Sequence, residues 1–175
     1  MKIFSLFLIL IFFNISSNAE VFPIPDDNEV SFDVLRKNKI IGNLTIKFIN
    51  DKENLILHSI LDIKVKVLFI PAYKFFQETK ETWQNGNFVS IDGFTDFEDD
   101  REYKIDGKDE NGVFMATGMD GLLELDENIV PLNYWNKQML KEKKVFDTQK
   151  GIVREISVKK LKEEKIKINN SKIEV

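Results

Sequence analysis

The chain has 175 residues, with 29 acidic against 25 basic side chains and a net charge of −4 at neutral pH. That balance argues against nucleic acid or an anionic lipid surface as the main partner. There is no cysteine and a single histidine, His58, which excludes disulfide frameworks, thiolate metal sites and cysteine nucleophiles, and leaves a Ser-His-Asp triad or a histidine metal site with only one candidate residue.

At the amino terminus Lys2 precedes an apolar run from Ile3 to Phe13, and Ser17-Asn18-Ala19 puts small residues at the −3 and −1 sites. This is the pattern of a secretory signal peptide over residues 1–19, cleaved after Ala19. Asn14 interrupts the run short of the roughly 20 apolar residues that a membrane span needs, and no cysteine follows to accept a lipid. A soluble periplasmic protein of a diderm bacterium is expected, not a lipoprotein and without a membrane span once the signal is removed. Residues 20–29, with Pro23, Pro25, Asp26, Asp27 and Asn28, read as a flexible linker, and residues 30–175 as a single domain.

Within that domain Val30, Phe32 and Val34 alternate, Arg36-Lys37-Asn38-Lys39 turns the chain, and Leu44, Ile46 and Phe48 alternate again before a second polar turn at residues 50–53. From Leu55 to Phe69 the period of two continues without a break, with Asp62, Lys64 and Lys66 marking a wetter face. Such a run spans roughly 50 Å at the usual rise of a strand, so it must bend, curl or break. Pro71 forces a corner, and a further strand runs to Asn85-Gly86, the strongest hairpin signal in the chain. With those two residues as the loop, Trp83 faces Phe88, Glu81 faces Ser90, Thr79 faces Asp92, Gln77 faces Phe94 and Phe75 faces Asp96. One face then carries a polar middle framed by aromatics, with Glu81 and Asp92 as diagonal neighbours roughly 7–8 Å apart.

Beyond Thr95 two acidic segments have the look of calcium loops, but Arg101 stands at the sixth position of one and Lys108 at a ligand position of the other, so both read as hairpin turns. Leu122, Leu123 and Leu125 suggest a short strand. A short helix is expected near 133–141, capped by Asn133 and with Trp135 and Met139 on one side, placed to plug an open sheet. Val145 and Phe146 lead into a turn at residues 147–151. The lysines from Lys159 to Lys167 are interleaved with Glu163 and Glu164 and read as a solvated face.

Phe32-Asp33-Val34 with Ile41-Gly42, Tyr73-Lys74-Phe75, Glu81-Thr82-Trp83 ahead of Asn85-Gly86, Tyr134-Trp135-Asn136, and Phe146-Asp147-Thr148-Gln149 with Gly151 together resemble a bacterial exported family of unknown function. The resemblance covers most of the chain after the signal and implies a compartment and a fold, but no activity. Its strand layout is similar to the open β half-barrels of periplasmic lipoprotein carriers. It also implies a further strand pair beyond Val175, so the chain is either short or truncated.

The expected architecture is therefore all-β and mainly antiparallel: a strongly curved meander forming an open half-barrel with one short helix. No Gly-rich phosphate loop, serine elbow or HExxH motif occurs, so no cofactor and no metal are expected. The favoured function is a noncatalytic periplasmic domain that binds an apolar or amphipathic, lipid-like ligand against Tyr73, Phe75, Trp83, Tyr134, Trp135 and Asn136. One alternative is an envelope hydrolase using Glu81 and Asp92 as acid and base. Another is an interaction module presenting a sheet edge or aromatic patch to an envelope protein.

Overall fold

Period-two alternation builds eight strands that follow one another as an antiparallel meander. They are β1 (Glu29–Arg36), β2 (Lys39–Asp51), β3 (Asn54–Val67), β4 (Ile70–Gln84), β5 (Asn87–Phe97), β6 (Glu102–Asp109), β7 (Val113–Gly118) and β8 (Gly121–Asp126). Each pairs with its neighbours in sequence, and β1 and β8 do not pair, so the sheet stays open as expected. This computed structural model describes residues 24–67, 70–98, 101–162, 165–168 and 171–174. The expected signal peptide and residues 20–23 of the expected linker lie outside the described residues. The remainder of that linker is built onto the sheet: Ile24 packs against the core, and the Asn28 carbonyl accepts a 2.9 Å hydrogen bond from the Phe48 N–H.

The β4–β5 turn sits at Asn85-Gly86, with φ of 50° and 82°, and Trp83 pairs with Phe88 as the two-residue loop requires. The register then departs from expectation. Thr82 pairs with Ser90, which leaves Val89 as an extra residue, and from there Glu81 faces Ile91, Thr79 faces Gly93, Gln77 faces Thr95 and Phe75 faces Phe97. A strand that slipped no residue would have buried Ser90, Asp92 and Asp96 and turned Ile91 out to water. The bulge exchanges the two sets, and burial of Phe88, Ile91 and Thr95 on one face decides the register. Asp92 and Asp96 consequently lie on the outer face, where Asp96 accepts a 2.7 Å hydrogen bond from the Lys74 Nζ.

A second, smaller layer covers the inner face. It consists of β9 (Pro131–Leu132), β10 (Lys144–Asp147) and β11 (Ile152–Glu155), with β10 parallel to β9 and antiparallel to β11. β12 (Lys165–Ile168) and β13 (Ser171–Glu174) form a separate antiparallel hairpin. β10 is pressed onto the meander: Val145 and Phe146 are fully buried, and Phe146 meets Phe114 of β7 edge-on at 6.0 Å. The approach is close enough that a Cβ on Gly118 would stand 2.3 Å from the Gly151 carbonyl oxygen, and the Met119 N–H donates to Lys150 O at 2.7 Å. Phe114 stacks on Phe88 at 4.8 Å, Phe88 touches Trp83, and Trp83 meets Trp135 edge-on at 5.6 Å, so aromatic rings tie both layers together. Each fully buried side chain of this size contributes about 1.5–3 kcal/mol.

The short helix expected near 133–141 is a single 3-10 turn at Lys137–Lys141, and its cap is Asn136, not Asn133. Asn133 is committed elsewhere: its amide donates to Glu81, and its Oδ1 accepts the Asn136 N–H at 3.0 Å. Those bonds hold residues 133–136 out of helical geometry and leave Trp135 leaning on Phe48 and Trp83.

Candidate functional site

The two layers separate over β2, β3 and β4 and enclose a cleft of about 310 Å3. Its floor is the inner face of those strands. Leu44, Ile46 and Leu61 supply apolar surface, and Ser59, Gln77, Thr79 and Glu81 supply polar groups. The alternation that points Phe75 and Trp83 inward on β4 necessarily points Gln77, Thr79 and Glu81 inward between them. One wall is Leu132 at the end of β9 and the segment after it, with Asn133, Tyr134 and Trp135, joined by Met139 from the 3-10 turn. The other wall is Asp147 at the end of β10, the turn after it with Thr148 and Gln149, and Arg154 from β11.

Glu81 is the unusual member. It is 2 % exposed, and its strand neighbours across β3 and β5 are Leu57 and Ile91. Its Oε2 accepts hydrogen bonds from Trp83 Nε1 at 3.1 Å and Asn133 Nδ2 at 3.2 Å. Burial pushes its carboxyl up to about 7, against the opposing pull of those two donors. Both donors are neutral, so the carboxyl can take up and release a proton near neutral pH.

The other charged groups of the cleft are paired with each other. Asp147, 4 % exposed, accepts from Arg154 Nε at 2.6 Å through Oδ2 and from the Gln149 N–H at 2.8 Å through Oδ1. Gln77 crosses between the layers, its amide donating to Thr148 O at 3.0 Å and to Thr148 Oγ1 at 3.4 Å.

A second, more open groove of about 430 Å3 runs from the cleft toward β1. Phe32, Val34 and Ile63 give it a mainly apolar lining, with Asp33 its one charged residue, and it shares Leu44, Leu61 and Tyr134 with the cleft. Polar floor and apolar groove are thus contiguous.

The sequence-predicted residues divide among several places. Tyr134 and Trp135 line the cleft. Trp83 is buried beneath it as a hydrogen-bond donor to Glu81. Phe75 is 4 % exposed and packs edge-on against Phe97 at 5.1 Å. Asn136 is buried and spent on capping the 3-10 turn. Tyr73 is half-exposed and lines neither cleft nor groove. Glu81 and Asp92 are not neighbours on a shared face: the bulge at Val89 puts Asp92 on the outer surface opposite Lys80 and Asp106, with the sheet between the two carboxyls. His58 is also an outer-face residue, bonded to Glu78 Oε1 at 2.6 Å. Sequence reasoning missed Ser59, Thr79, Asn133 and Arg154; the inward polar run Gln77-x-Thr79-x-Glu81 between Phe75 and Trp83 was the available signal for the floor. Among the described residues no group of three or more carboxylate or histidine ligands could hold a metal.

Fold and site together define a class: an open antiparallel meander whose inner face is part sealed, part hollowed into a cleft. The chain belongs to the family described as a domain of unknown function (DUF6134), which matches residues 32–175. No curated protein and no solved structure matches it.

Proposed function

We propose that this domain is an exported, noncatalytic binding protein that holds a small amphipathic, lipid-like molecule in the cleft and groove of its inner face. The observation that carries this reading is the continuity of the two spaces. An apolar channel floored by Phe32, Val34 and Ile63 opens past Leu44, Leu61 and Tyr134 onto a chamber floored by Gln77, Thr79 and Glu81. A molecule with a tail and a head matches that division, since ligand sites are mostly apolar with a few fixed polar groups. A two-carboxylate hydrolase is disfavoured by the separation of Glu81 from Asp92 across the sheet. Export belongs to the same proposal and rests on Lys2, the apolar run after it and Ser17-Asn18-Ala19; mass spectrometry of the protein recovered from a periplasmic fraction should find a chain beginning at Glu20.

The test of binding uses the two tryptophans, Trp135 lining the cleft and Trp83 buried beneath it. Decyl-chain amphiphiles should change their fluorescence saturably, and Tyr134→Ala, at a residue 75 % exposed and therefore free of folding consequences, should weaken binding several-fold. Lack of a saturable response to any decyl amphiphile would overturn the proposal.

A further inference from the structure

The amide and indole donors beside Glu81 and Gln77 are engaged, while acceptor oxygens of the same two residues are open to the cleft. Asn133 Nδ2 and Trp83 Nε1 are both consumed by Glu81 Oε2. The Gln77 amide is consumed by Thr148. Arg154, at the rim and 44 % exposed, gives its Nε to Asp147. Among the described residues nothing donates to Glu81 Oε1 or to Gln77 Oε1, and both residues line the cleft. The charges point the same way. Glu81, Asp147 and Arg154 are the acidic and basic groups that face the chamber, two acidic against one basic. The strands flanking Glu81 bring only Leu57 and Ile91 against it, the covering segment brings neutral Asn133, and Tyr134 and Trp135 add aromatic rings to the wall.

From this arrangement we propose that the cleft selects amphiphiles whose head group donates hydrogen bonds, an alkylammonium ahead of an alcohol, over carboxylate and phosphate heads, with Glu81 as the selecting residue. This rests on the ligand-binding reading above. A buried carboxylate with no cation beside it is costly, and an ammonium seated at Oε1 removes that cost while the aromatic wall favours the same charge. A carboxylate head would instead stand against Glu81 and Asp147, and Arg154 at the rim, the one basic residue in the cleft lining, already has its Nε on Asp147. Because an ammonium prefers the ionised form of Glu81, binding it should favour loss of the Glu81 proton, and its affinity should rise with pH through the neutral range, where that group titrates.

The experiment compares decylamine, decanol, decanoate and decyl phosphate by tryptophan fluorescence and calorimetry on the full chain. Decylamine should bind about tenfold or more tightly than decanoate, a difference on the scale of one charged contact, and should gain affinity between about pH 5.5 and pH 8. Glu81→Gln, which keeps an acceptor for Trp83 and Asn133, should erase the preference for the amine and its pH dependence. Decanoate or decyl phosphate binding as tightly as decylamine would overturn the inference while leaving the binding function standing. Unchanged head-group preference in Glu81→Gln would remove Glu81 as the selector. Failure of all four compounds to bind would sink the inference and the proposed function together.

Discussion

The inner face of the meander has two halves, and the contrast between them is informative. Over β5 to β7 it is sealed. Ile91, Ile105, Phe114 and Ala116 are almost wholly buried, and Gly118 lets the Gly151 turn press down onto the sheet. Over β2 to β4 the same layer stands off. The sheet there presents Ser59, Gln77, Thr79 and Glu81 beside Leu44, Ile46 and Leu61, and Gln77 bridges the gap to Thr148. The sealed half shows that this fold can fill its interior, so the hollow half is not a limit of the architecture. Polar groups kept in a hollow beside a well-packed core are the mark of a surface shaped for something other than stability.

The comparison can be broken first in the sealed half. Phe146→Ala removes a fully buried ring that touches Phe114, and it should cost about 3–5 kcal/mol in chemical denaturation. A cost below about 1 kcal/mol would mean that the half is not sealed.

Glu81→Gln probes the hollow half with the opposite sign. The folded carboxyl titrates at about 7 and the free one at 4.5. A group raised in this way contributes its full stability below pH 4.5, and loses it as pH climbs through the folded value. The variant should therefore match the parent near pH 4 and exceed it above neutrality by an amount on the order of 3 kcal/mol. Stability curves of parent and variant that run parallel across this range would show that Glu81 is not desolvated.

A smaller effect sharpens the boundary between cleft wall and groove. Tyr134→Ala should leave stability within about 0.5 kcal/mol of the parent, because its ring is 75 % exposed, while it lowers affinity for a decyl amphiphile. A large loss of stability would make Tyr134 part of the core instead of the ligand path.

Much of the fold was legible in residues. Period-two runs from Val30 to Thr95 carry the first five strands, and Asn85-Gly86 located the hairpin and paired Trp83 with Phe88. One residue further the reading failed, because nothing local to Val89 announces a bulge; burial of Ile91 against the covering layer decides it, and that layer lies far along the chain. The same distance hid the site. Glu81 showed as an acid between aromatics, but its donor Asn133 is 52 residues away and looked like a helix cap. Gln77 meets Thr148 across 71 residues, and Arg154 in an otherwise ordinary Ile-Val-Arg-Glu strand gave no hint that it pairs with buried Asp147. Tyr134 and Trp135 line the cleft, whereas Tyr73 and Phe75, which stand in a resembling segment just as they do, lie away from it, because a shared segment says nothing about which layer covers it.

Direct observation of the Glu81 carboxyl bears on all of this at once. Its side-chain carbon can be followed by NMR through a pH titration, assigned by difference with Glu81→Gln, first in the free protein and then with decylamine present. A midpoint near 7 that falls when the amine is added is the result the proposal predicts. A midpoint near 4.5, or one that decylamine leaves where it was, would contradict a hollow, desolvated floor built to receive a head group.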